Sequence, residues 1–234
     1  MELLTMAVLL KNLTARTPNT EDLAALSELV RSCESSADSM AGSTLEELLS
    51  EWQRPDFHLA NDAWVIVTTR GQIVGFACVW HEEHARISTF LCVHPDYRNR
   101  GIGTLLLRMA EVRARQHIRL ACPEQRVVLQ GLINSANEGA HRLFEREGYQ
   151  EGRPFLRISF TLNEEGEQQA LPVAARRLKV DVGLEPQGRL PGVTPLCDQD
   201  ALCNVRLYRT YEKELRPATH VYRETQQDLQ ALNV

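Results

Sequence analysis

Between Phe90 and Val112 the 234-residue chain changes its hydrophobic period, and that change limits the fold more than any other feature. Phe90-Leu91-Cys92-Val93 reads as the end of a strand, whereas Ile102, Leu105, Leu106, Met109 and Val112 recur at helical spacing. The join is Arg98-Asn99-Arg100-Gly101-Ile102-Gly103-Thr104. A strand that runs through a short loop into a long helix belongs to a sheet with helices packed on it. The unpaired amides and partial positive charge of the helix N-terminus favour a phosphate there. Gly101 can take a positive φ, Gly103 removes a Cβ so that a diphosphate can approach, and Arg98 and Arg100 add charge. Two familiar phosphate loops are excluded: Gly103 is followed by Thr104-Leu105 instead of Lys-Ser/Thr, and Leu106 stands where a dinucleotide loop needs its third glycine.

The surrounding pattern extends the sheet. Lys11 to Arg16 reads as a short strand, and Thr20 as the N-cap of a helix carrying Leu23, Leu26, Leu29 and Val30, fading after Ser32. A second helix is predicted from Ser43 or Thr44, with Glu47 at capping-box spacing, to before Pro55. Ala63 to Thr69 and Ile73 to Trp80 form a hairpin about Arg70-Gly71-Gln72, and Ile87 to Val93 is the next strand. Val127 to Ile133 reads as a strand, Glu138 to Arg146 as a helix with Gly148 as its C-cap, and Phe155 to Leu162 as the final strand. The fold class is mixed α/β (α+β), with one domain over residues 1–162.

Length sharpens the boundary, because at ~150 residues per domain the chain amounts to about one and a half domains. The surplus, 163–234, opens on Glu164-Glu165-Gly166-Glu167-Gln168-Gln169 and holds prolines 172, 186, 191, 195 and 217, which marks its first half as linker or irregular structure. Asp198 to Leu215 admits a helical reading through Leu202, Val205 and Tyr208. The tail is thus a C-terminal extension of unassigned role, with packing on the first domain or homodimer formation as candidates.

Composition removes several function classes. With 43% hydrophobic and 24% charged residues the chain is neither disordered nor fibrous. A net charge of -5, from 26 Lys and Arg against 31 Asp and Glu, gives no electrostatic basis for nucleic-acid binding and suits a cationic small molecule or basic peptide. The six cysteines lack the density of a disulfide scaffold or the spacing of a zinc site, and Cys197 with Cys203 is too little to specify a disulfide or a metal pair. His81-Glu82-Glu83-His84 is not the helical His-Glu-x-x-His zinc motif, so no metal is expected. The apolar run Leu3 to Leu10 lacks a basic flank and falls short of the ~20 residues of a membrane span, so the expected setting is cytoplasmic, away from membranes.

Two ordered motifs identify a family. Val93-x-Pro95-x-x-Arg98-x-x-Gly101-x-Gly103 resembles the pyrophosphate loop of the GNAT superfamily of N-acetyltransferases. The stretch Asn137 to Tyr149, with Ala140, Leu143-Phe144 and Gly148-Tyr149, resembles the later family motif running from an Asn through Ala-x-x-Leu-Tyr to Gly-Phe. The resemblance covers about residues 9–162, and Trp52 to Trp80 is faintly similar to mycothiol synthase-like domains. It implies a mostly antiparallel central sheet flanked by helices, and acetyl-CoA as cosubstrate. It also implies that the strand residues Leu91, Cys92 and Val93 meet the pantetheine arm, that the segment Asn99, Arg100, Gly101, Ile102, Gly103 and Thr104 holds the diphosphate together with Arg98, and that Asn137 contacts the pantetheine or the CoA end. The Val93 amide is the implied oxyanion donor.

The implied reaction is direct attack of a small-molecule or peptide primary amine on the thioester in a ternary complex. Phe144 stands where the family often has a tyrosine acid, and Ile87 where some members carry a glutamate base, so the acid and base are unassigned. Glu82, Glu83 and His84 remain candidates for action through water, against the plainer reading of a solvated hairpin. The other readings are an acyl-CoA-binding module on the same fold without catalysis, and a nucleotide enzyme that shares only the glycine loop.

Overall fold

The computed structural model describes residues 12–34, 50, 52–162, 176–183 and 203–218. Strand β1 (Leu13–Arg16) leads to a 3-10 turn and helix α1 (Leu23–Glu34), then a short helix α2 (Leu59–Asp62). Strands β2 (Ala63–Thr68), β3 (Ile73–Glu82) and β4 (Arg86–Val93) follow, then helix α3 (Ile102–His117), β5 (Val127–Asn134) and α4 (Glu138–Arg146). Strands β6 (Gln150–Leu162), β7 (Arg176–Gly183) and β8 (Cys203–Arg216) complete one eight-stranded sheet in the order β1-β2-β3-β4-β5-β8-β6-β7. Its pairings are antiparallel except β4 with β5.

The two faces of the sheet bury different residues because side chains alternate along each strand. Phe76, Cys78, Phe90 and Cys92 pack with Leu26, Leu29, Val30 and Cys33 of α1 on one face. Ala77, Val79, Leu91, Leu129 and Ile133 pack with Ile102, Leu106, Leu107, Ala110 and Phe144 of α3 and α4 on the other. Each fully buried Leu, Ile or Phe contributes roughly 1.5–3 kcal/mol. Among the described residues no helix is long and apolar enough to cross a membrane.

Local signals were read well where the structure makes local demands. The β2–β3 hairpin turns at Gly71 with φ 82, and α4 spans Glu138–Arg146 with Gly148 left-handed at φ 84 just beyond it. The helix after β4 begins as expected, but its buried side is Ile102, Leu106, Leu107, Ala110, Ala114 and His117, while Val112 is 52% exposed. Asn19, not Thr20, caps the first helical segment, its side chain accepting the Asp22 amide while the Asp22 carboxylate accepts the Asn19 amide. The helix predicted from Ser43 lies outside the described residues apart from Ser50, Trp52, Gln53 and Arg54, as do Leu3 to Leu10 and Cys197.

The tail gives the main correction. The described part of Asp198 to Leu215 is not helical: Cys203–Arg216 is strand β8, hydrogen-bonded between β5 and β6. Tyr208 and Tyr211 on it are 2% and 1% exposed. The expected division at residue 162 therefore cuts through a continuous sheet, and Phe155 to Leu162 belongs to a longer strand that is not the last. Pro154, which has no amide to donate, sits at the register shift of the β6–β8 ladder.

Candidate active site

The site originates in an unfinished strand pairing. Strand β4 pairs with β5 only from Arg86 to Thr89, against Val128 to Gly131; beyond that, β5 continues along β8 while Phe90 to Val93 parts from it. The His94 amide donates to the Val74 carbonyl, so the antiparallel alternation directs the backbone groups of Leu91 and Val93 away from β3, toward the gap. Cys33 of α1 has already found one of them: its thiol donates to the Val93 carbonyl at 3.3 Å.

A cleft of about 400 Å³ opens at this gap, within the usual range for small-molecule sites. The N-terminal ends of α3 and α4 both border it, through Gly101, Gly103 and Thr104 on one side and Asn137, Gly139 and Ala140 on the other. Gly101 is left-handed (φ 83) and faces open space, a conformation that costs an L-residue roughly 1–2 kcal/mol. Gly103 answers a close approach: a Cβ there would lie 3.1 Å from Leu143 Cδ2. Arg98, Arg142 and Arg146 supply charge, and Arg146 donates to the Thr104 hydroxyl at 2.7 Å. No Asp, Glu or His lines the cleft among the described residues, so its charge and its helix orientation both suit an anion.

Most expected site residues converge there. Leu91, Cys92, Val93, Arg98, Asn99, Gly101, Gly103, Thr104 and Asn137 all line the cleft. Arg100 and Ile102 do not. Arg100 turns back over the Tyr97 ring at 4.8 Å and donates to the Asp96 carbonyl, bordering a neighbouring cavity, and Ile102 is 1% exposed in the core beneath β3. Asn137 is also the α4 cap, its Oδ1 accepting the Ala140 amide at 2.9 Å. Sequence reasoning passed over Cys33, which only the packing of α1 on β4 brings to the cleft. Its thiol pKa is lowered, first by the hydrogen bond with Cys92 and further by Arg98, against the opposing effect of burial.

The candidate acid and base positions also resolve. Phe144 is 1% exposed, with its ring on Gly131 and against Tyr149 and Tyr211, so that position is core. Glu82, Glu83 and His84 lie at the opposite end of β4, seven residues of strand from Val93 or about 23 Å, out of reach of the cleft.

Comparison with known proteins supports an acyl-CoA-dependent acetyltransferase. Residues 60–151 match the family model described as acetyltransferase (GNAT) domain. Acetyltransferase SG1711 of Sodalis glossinidius (strain morsitans) is 25% identical over 127 residues, 52% of this chain and 84% of that protein. Acetyltransferase ECA0875 of Pectobacterium atrosepticum is 24% identical over 110 residues, 44% and 73% of the two chains. The fold is shared with a GCN5-related N-acetyltransferase from Sphaerobacter thermophilus, with a TM-score of 0.70 and 17% identity over 90% of this chain and 98% of that one. It is shared also with yncA from Salmonella typhimurium, solved with its cofactor acetyl-CoA, with a TM-score of 0.53 and 16% identity over 89% and 97%.

Proposed function

We propose that the chain transfers an acetyl group from acetyl-CoA to a primary amine by direct attack in a ternary complex. The observation that carries this reading is the parting of β4 from β5 beside two converging helix N-termini. Acetyl-CoA needs both features: backbone partners for the amides of its pantetheine arm, and an anion site for its diphosphate. Leu91 and Val93 offer the first, and the loop from Asn99 to Thr104 with Arg98 the second. The Val93 amide, directed into the gap, is placed to stabilise the oxyanion formed when the amine adds to the thioester carbonyl.

Proton handling in this reading falls to water and the substrates. With no carboxylate or imidazole lining the cleft among the described residues, the amine enters neutral or loses its proton to solvent. The CoA thiolate leaves unprotonated, which an ordinary thiol pKa near ~8.5 permits. The same lack of an acid and base favours, as second reading, an acyl-CoA-binding module without turnover.

Calorimetry with acetyl-CoA tests the binding half. Gly101→Glu places a carboxylate and a strained residue at the phosphate loop and is expected to weaken binding at least roughly 100-fold; unchanged affinity would overturn the site. Thiol release measured across amines, peptides and aminoglycosides separates the two readings: turnover with any acceptor supports transfer, and binding without turnover supports the module.

A further inference from the structure

The opposite end of α3 carries a second cluster that the acetyltransferase reading does not use. His81 and His84 flank the β3–β4 turn, and His117 ends α3. One ring nitrogen from each can be chosen so that all three lie within 4.8 Å of one another. The His84 and His117 Nδ1 atoms face each other at 2.9 Å, and the His81 ring lies 4.0 Å from His84 and 4.5 Å from His117 between centroids. The His117 residue is 3% exposed and the His81 side chain 11%.

From this geometry we infer a binding site for a divalent transition-metal ion of the zinc type, held by His81, His84 and His117. A tetrahedral ion with metal–nitrogen distances of 2.0–2.1 Å sets its ligand nitrogens roughly 3.3 Å apart, so the facing pair needs to open by only a few tenths of an ångström and His81 to turn inward. Without an ion only one of the two facing Nδ1 atoms can carry the shared proton, so the pair holds together through a single hydrogen bond that an ion would replace with two ligand bonds. The turn that delivers His84 is itself held in an uncommon conformation, with Glu83 at φ 49 and His84 at φ 57.

Two carboxylates stand beside the cluster. Asp56 Oδ2 is 3.8 Å from His81 Nε2, and Asp62 bonds Arg113 at 2.6 Å while acting on both His81 and His117. Since Arg54 and Arg113 already pair with them, the ligand field is set by the imidazoles. Such an ion would pin the hairpin to the end of a 16-residue helix, about 24 Å from the acyl-CoA cleft, so its role is structural.

The test is titration of the full chain, freed of metal by chelation, with zinc chloride. One ion per chain by calorimetry and a raised melting temperature are expected. His84→Ala, in which the partly exposed turn residue is removed, should weaken binding at least roughly tenfold, and His81→Ala likewise, while acetyl-CoA affinity stays unchanged. That unchanged affinity shows the variants are folded and keeps this outcome separate from the fate of the acetyltransferase reading. Wild-type protein that binds no stoichiometric zinc overturns the site. So does zinc affinity that survives both substitutions, or a cobalt-substituted protein whose near-ultraviolet band places the ion on cysteine sulfur.

Discussion

At its N-terminus α3 presents free helix amides, a left-handed Gly101 and arginines to an open cleft; at its C-terminus it buries His117 at 3% exposure against two more imidazoles. In the readings proposed above, one helix carries two kinds of site. The first is built by chain neighbours, because loop, cap and helix dipole all come from residues 98–104. The second is built by tertiary contact, since His84 and His117 are 33 residues apart and meet only because α3 crosses the β3–β4 hairpin. Changes at the cleft end should therefore act on ligand affinity with little effect on folding, whereas changes to the sheet beneath α3 should act on folding first.

The largest expected effect removes the sheet itself. Deleting residues 163–234 takes away β8, which pairs with β5 from Val127 to Asn134 and with β6 from Gln150 to Phe160. Losing a buried aromatic costs about 3–5 kcal/mol, so the loss of Tyr208 and Tyr211 alone approaches the 5–15 kcal/mol that holds a typical domain together. The truncated chain should show no cooperative thermal transition and bind no acetyl-CoA. A soluble truncation with wild-type affinity would mean that both ends of α3 stand without β8.

An intermediate effect is expected from Arg98→Ala. A charge-assisted hydrogen bond to a phosphate contributes about 1.5–3 kcal/mol, so acetyl-CoA affinity should fall roughly 10- to 100-fold in calorimetry. Zinc binding at the far end should be untouched. If Arg98→Ala lowered both affinities together, the two ends would be coupled and the contrast between them would fail.

The same contrast explains what the sequence could reveal. The strand–glycine loop–helix conformation at the cleft end was legible because a glycine with positive φ, a strand end and a helical repeat are demands that neighbouring residues make on one another. Glu138–Arg146 was legible for the same reason, with its cap, its apolar face and Gly148 all within a dozen residues. Strand β8 was not. Its charged residues Arg209, Glu212, Lys213, Glu214 and Arg216 interrupt any clean alternation, and its conformation is fixed by ladders on both sides, such as Ile133 with Arg209 and Phe155 with Tyr208. The histidine cluster was hidden because a search for ligands at helical spacing fails when two stand on a turn and the third on another element. Arg100 misled because charge beside a glycine loop says nothing about direction, and Tyr97 holds it on the other side.

The smallest effect tests the join between α3 and β8. Glu111, halfway along α3, accepts from Lys213 of β8 at 2.7 Å and from Arg115 at 2.6 Å, and Lys213 also donates to the Glu147 carbonyl at the end of α4. Burial raises the Glu111 pKa, but the hydrogen bonds from Lys213 and Arg115 outweigh it and the net shift is downward from 4.5. A carboxyl that is more acidic in the folded chain contributes stability that is present above pH 4.5 and disappears as the pH falls through the lower folded value. Glu111→Gln should therefore cost about 1–2 kcal/mol at pH 7, a fall in melting temperature of roughly 2–8 °C, and almost nothing near pH 3. Denaturant unfolding of wild type and variant at the two pH values measures the gap. A gap that stays constant would mean Glu111 holds β8 through packing of its stem instead of its charge, and acetyl-CoA affinity should be the same for both proteins at pH 7.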